Sequence, residues 1–138
     1  MPAGYSGTSL AKKLGVEDDQ RTWRHEMPPT IAEEIARGGV SPRLLRSPRN
    51  GLQMAHIFVK RRSELARLLT QLRERLAADG MLWVSWPKKS AKVETDIIED
   101  TIREEALPLG FVDVKVCAVD ETWSGLKLVI RKSERTKS

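Results

Sequence analysis

The segment MLWVSW at 81–86 constrains the fold more than any other stretch of the chain. It is a near-continuous apolar run, too short to span a membrane and rich in aromatic and branched side chains. That is the pattern of a strand covered on both faces. A doubly covered strand needs a sheet around it and helices above and below. The neighbouring sequence supplies both. Residues 52–59 (LQMAHIFV) read as a second strand. Between them, 64–78 carries Leu65, Leu68, Leu69, Leu72 and Leu76 at helical spacing and is closed by Asp79-Gly80. Asp96 with Glu99 has the spacing of a capping box and opens an acidic helix, with Ile98 and Ile102 turned inward. Residues 111–119 (FVDVKVCAV) alternate, which places Val112, Val114, Val116 and Ala118 on one face. Residues 126–131 (LKLVIR) alternate too, so the last two strands make a hairpin around DETWSG.

The first half carries weaker signals. Ser9 is positioned to cap a short helix over 10–14 that ends at Gly15. Residues 21–27 suit a strand stopped by Pro28-Pro29. Thr30 then caps a helix over 31–37, and 40–45 suits a short edge strand, because Pro42 cannot complete a central ladder. The expected fold class is α/β: a Rossmann-like three-layer sandwich with a mostly parallel sheet of about six strands and a C-terminal antiparallel hairpin. The expected organisation is an N-terminal extension with a short helix (1–20), one Rossmann-like domain (21–132) and a frayed tail (133–138).

Charge bears on partners. The net charge is +5, yet residues 94–105 hold six acids and one base, so the remainder carries +10. Such asymmetry suits an anionic partner. Cys117 is the single cysteine and there are two histidines, which excludes an intrachain disulfide and a structural zinc site of four Cys/His ligands. No metal site is expected. No apolar run approaches the roughly 20 residues of a membrane span, and the N-terminus lacks a secretory apolar core, so the expected place is the cytoplasm, away from membranes. The phosphate-binding loop, the nucleophile elbow and the H-E-x-x-H and C-x-x-C motifs are absent from the sequence.

In an open parallel sheet, ligands bind beyond the carboxyl ends of the strands. That rim receives Lys60, Arg61 and Arg62 after 52–59, and Lys88 and Lys89 after 81–86. The hairpin loop adds Asp120, Trp123 and Ser124. Trp86 and Trp123 sit at strand ends beside basic residues, where an indole can stack on a base. These nine residues are the candidate ligand-binding set. The expected partner is a phosphorylated small molecule, nucleic acid or an acidic protein; a second copy pairing on the edge strand 111–119 would make a homodimer. His56, inside QMAHIFV, reads as a hydrogen-bonded core histidine, Trp83 as core and Cys117 as a structural thiol, while His25 carries no signal.

The stretches GYSGTSLAKKLG, MLWVSWPKK and FVDVKVCAVDETWSGLKLVIR together resemble a small bacterial protein family of unknown function, which offers no catalytic residues to transfer. The order of segments in turn resembles class I S-adenosylmethionine-dependent methyltransferases. The resemblance implies the strand order 40–45, 21–27, 52–59, 81–86, 126–131, 111–119. Two features depart from that family, and the chain is shorter than its complete domain. Where the family has a glycine-rich turn, this chain reads WRHEMPPT. Where the family ends its second strand in an acid, this chain has Leu45, Arg46, Ser47 and Pro48. The expectation is therefore a scaffold without cofactor or catalytic residues: a non-catalytic binding or regulatory domain with a basic rim. The alternatives are a small enzyme on an anionic substrate, with Lys88, Asp120 and Ser124 as its polar groups, or a structural homodimer.

Overall fold

The computed structural model describes residues 8–135. Its six strands are β1 (Arg21–His25), β2 (Arg43–Leu44), β3 (Leu52–Phe58), β4 (Leu76–Pro87), β5 (Phe111–Ala118) and β6 (Trp123–Ile130). They form one sheet in the order β2-β1-β3-β4-β6-β5. The first four are parallel, and β6 runs antiparallel to both β4 and β5. This is the expected α/β class, with the strand order that the methyltransferase resemblance implied.

Four helices flank the sheet: α1 (Leu10–Leu14), α2 (Pro29–Ala36), α3 (Arg62–Arg75) and α4 (Glu99–Ala106). Leu65, Leu68, Leu69 and Leu72 of α3 and Ile102 of α4 pack on Ala55, Ile57, Leu82, Val84, Leu126 and Leu128. On the opposite face, Leu10, Ala11 and Leu14 of α1 and Ile31 and Ile35 of α2 pack on Met54, Phe58 and Trp83. The apolar run 81–86 is thus buried from both sides, as its composition required. Trp83 is fully buried, and its Nε1 donates to the Leu14 carbonyl at 2.8 Å. Ser9 caps α1 through its side chain, and Gly15 closes it at φ 78°.

Several expectations are corrected. The helix expected over 64–78 starts at Arg62 and stops at Arg75; Leu76 to Gly80 join β4 instead. The reason is a close approach of backbones. A Cβ on Gly80 would lie 2.9 Å from the Leu52 carbonyl oxygen, so the chain passes β3 only with glycine there. The edge strand 40–45 shrinks to Arg43–Leu44 beyond Pro42. The first residue of α2 is Pro29, and Pro28, with no capping side chain, stands where Thr30 was expected to cap. Asp96 does not open the acidic helix, which begins at Glu99; its Oδ1 accepts from the Arg62 amide at the start of α3, at 2.6 Å.

The largest correction concerns β5. Its register against β6 slips by one residue between Asp113 and Lys115. Val112 pairs with Val129 and Val116 with Leu126, so these two valines face opposite sides of the sheet. Val114 and Val116 are exposed, at 51% and 46%.

Candidate functional site

From β1 the chain leaves to the outer strand β2, then returns to β3 on the other side. The crevice beyond the carboxyl ends of β1 and β3 is the topological switch point, where open α/β sheets hold ligands. Two segments form it: His25 to Pro28 after β1, and Val59 to Arg61 after β3.

An imidazole–carboxylate pair stands there. His25 Nε2 lies 2.9 Å from Glu64 Oε2, and the side chains keep 19% and 33% of their exposure. The pair follows from topology. His25 is the last residue of β1 and, in register with Ile57, faces the side covered by α3. Glu64 belongs to the first turn of α3, which starts just after β3. Trp23 packs beside the imidazole, with ring centroids 5.7 Å apart. The pair was not legible from sequence, because 39 positions separate its members. A histidine at the end of a strand adjoining the switch point, with an acid opening the helix after the next strand, was the available signal.

The turn after β1 is strained. Glu26 holds φ 58°, and Lys92, in the loop after β4, holds φ 56°. Left-handed backbone costs a non-glycine residue about 1 kcal/mol and concentrates at sites that require a particular turn.

The nine sequence candidates divide. Arg61 pairs with Glu94 at 3.7 Å, and Arg62 pairs with Glu104 at 3.0 Å and Glu105 at 2.6 Å. The acidic segment folds back on these two arginines and neutralises them. The Lys60 carbonyl accepts from the Asp96 amide at 3.2 Å and from Thr95 Oγ1 at 2.7 Å, which closes the segment over the end of β3. Among the described residues, Lys60, Lys88 and Lys89 form no ion pair. The Lys88 amide donates to the Thr122 carbonyl at 2.8 Å, which joins the loop after β4 to the hairpin loop. Trp86 is 7% exposed and packs in the core on the α3 side, so its indole face is covered. Asp120 Oδ1 accepts from the amides of Thr122 and Trp123, which shapes the hairpin loop. Trp123 meets Phe58 edge to face at 5.0 Å, and Ser124 continues the ladder opposite Trp86.

His56 and Ser85 are buried below this rim, their Nε2 and Oγ 2.8 Å apart. Burial, with the nearby Arg24 charge, pushes the His56 pKa down to about 3, so the imidazole is neutral. Burial raises the Cys117 thiol, which keeps it protonated and unreactive near neutral pH. Among the described residues no group of His, Cys, Asp and Glu is placed to hold a metal ion, and no helix is long and apolar enough to cross a membrane.

No family model and no curated protein matches the sequence. Solved structures do match the fold. LepI bound to S-adenosylmethionine superposes with a TM-score of 0.55 at 9% identity, over 88% of this chain and 39% of its own. Fibrillarin from Aeropyrum pernix, with natively bound S-adenosyl-L-methionine, gives 0.53 at 13% identity over 87% and 73%. A TehB-like S-adenosylmethionine-dependent methyltransferase from Corynebacterium glutamicum gives 0.52 at 7% identity over 94% and 91%. The chain thus spans well under half of LepI and most of the other two. The likeness establishes a methyltransferase-like fold.

It also corrects the expectation of a non-catalytic binding or regulatory domain, and with it the expectation that the chain is no enzyme. The neighbours in fold include S-adenosylmethionine-dependent methyltransferases, which counts against that reading and fits the small-enzyme alternative better. The cofactor's customary handles are nonetheless missing. The turn from Glu26 to Pro29 contains no glycine, and Pro28 and Pro29 offer no amide hydrogen. The end of β2, at Leu44 to Arg46, contains no acid. These residues do not fit S-adenosylmethionine in that mode. The misfit concerns how a cofactor would be held.

Proposed function

We propose that this chain is a small enzyme on a methyltransferase-like scaffold, acting on an anionic substrate in the crevice between β1 and β3. The observation that carries the reading is the His25–Glu64 pair at the switch point. Carboxylate-paired imidazoles move protons: the acid fixes the tautomer and orientation and stabilises the ring when it is charged. With the Nε2 hydrogen donated to Glu64, His25 Nδ1 keeps a lone pair and can take a proton from a substrate hydroxyl or amine. Lys60 and Lys88, which end neighbouring strands without acidic partners among the described residues, supply the positive field for the anionic part of the substrate. His25 is the catalytic base in this reading, and Glu64 its positioning residue.

The test incubates the protein with a mixture of phosphorylated metabolites, with and without S-adenosylmethionine, and follows the mixture by mass spectrometry. Wild type should convert a compound that H25A leaves untouched. E64Q should lower the rate and shift its pH profile. A product formed only with S-adenosylmethionine would assign methyl transfer. Identical mixtures after wild type and H25A would overturn the reading.

A further inference from the structure

Arg24 is the penultimate residue of β1 and pairs in register with His56, on the face of the sheet covered by α1 and α2. It is partly buried, and burial pulls its guanidinium below the ordinary arginine value. Yet among the described residues it makes no ion pair and donates no side-chain hydrogen bond. The other partly buried arginines among the described residues have partners: Arg73 pairs with Glu134, Arg103 with Asp100 and Asp113, and Arg75, Arg131 and Arg135 donate to Asn50, Leu107 and Ile130. The polar groups on the Arg24 face are already committed. Thr22 Oγ1 donates to the Gln20 carbonyl at 2.9 Å, and His56 and Ser85 bind each other. A partly desolvated cation without a counter-charge is costly, and an anion beside it offsets that cost.

We propose that Arg24 anchors an oxyanion group of a ligand, phosphate or carboxylate, at the carboxyl end of β1, on the face opposite His25. The guanidinium fork presents two parallel N–H donors to such a group, which lysine cannot do. The buried His56–Ser85 pair forms an uncharged floor beneath it. This inference rests on the proposed crevice only for the identity of the ligand, since the anion anchor itself stands on Arg24.

The experiment measures thermal stability of the full chain in chloride buffer, then with inorganic phosphate and with acetate. Wild type should be stabilised by at least one of them, and the effective anion names the group. R24Q should lose that stabilisation, with at least a tenfold rise in apparent Kd, and R24K should keep part of it. R24Q without added anion should melt no lower than wild type, because it removes an unpaired charge. A marked destabilisation of R24Q with the anion effect intact would overturn the proposal, because Arg24 would then serve packing alone. No stabilisation of wild type by either anion would overturn it too. If K60Q abolished the effect and R24Q kept it, the Arg24 anchor would fail while the crevice reading stood. If R24Q abolished it and H25A still matched wild type in turnover, the anchor would stand and the enzyme reading would fail.

Discussion

His56 is a titratable group that the fold keeps neutral, and this has a measurable consequence. Its folded value, about 3, lies below the ordinary 6.5. The unfolded chain therefore binds a proton that the folded chain refuses as pH drops below 6.5, and stability falls with it. Full stability from this group is present above that value. Between pH 7 and pH 5 the loss should amount to about 2 kcal/mol in urea unfolding. H56Q should be less stable at pH 7.5 yet show a shallower decline over that range; an equal slope would assign the acid sensitivity elsewhere. His56 was legible from its apolar neighbours in sequence as a bonded core histidine. His25 was not legible. Its partner Glu64 is distant in sequence, and only the parallel pairing of β1 with β3 brings α3's first turn to it. Trp86 shows the converse: a strand end marked it as rim, but the packing of α3 and α4 covers it.

At the scale of elements, the edge strand β5 is interrupted at Val114, where the ladder to β6 slips by one residue. Such a bulge twists an exposed edge away from pairing with another chain. Deleting Val114 should restore a regular ladder with a modest change in stability, about 1 kcal/mol either way. It should also raise self-association, seen by sedimentation velocity as a dimer or larger species absent from wild type. A deletion that unfolds the chain would show that the bulge is needed for folding. The strands and the apolar face of α3 were readable because a period of two or of 3.6 is written into side-chain polarity, whereas the strand order came from the resemblance and Ile98, read as inward, is exposed at the start of α4. The bulge was not, since Val112 to Val116 alternate straight across the slip, which arises from pairing. The end of α3 was missed because Leu76 fits the helical stripe, whereas a backbone approach at Gly80 decides that the chain turns extended.

Over the whole molecule, the charge asymmetry of the sequence resolves into a spatial arrangement. The acidic segment folds over the end of β3 and neutralises Arg61 and Arg62, which leaves Lys60, Lys88 and Lys89, like Arg24 at the end of β1, without ion pairs among the described residues. The basic rim read from sequence is thereby narrower than composition implied, and it adjoins the switch point where His25 and Glu64 meet. Substrate is expected in this crevice. The most direct measurement follows backbone amide chemical shifts while adenosine monophosphate, an anion carrying a stacking base, is titrated in. The largest changes should fall at residues 24–27 and 58–62 and saturate with concentration. Shifts confined to the open depression on α4, lined by Asp100, Arg103, Glu104, Leu107 and Pro108, or no shift at all, would contradict it.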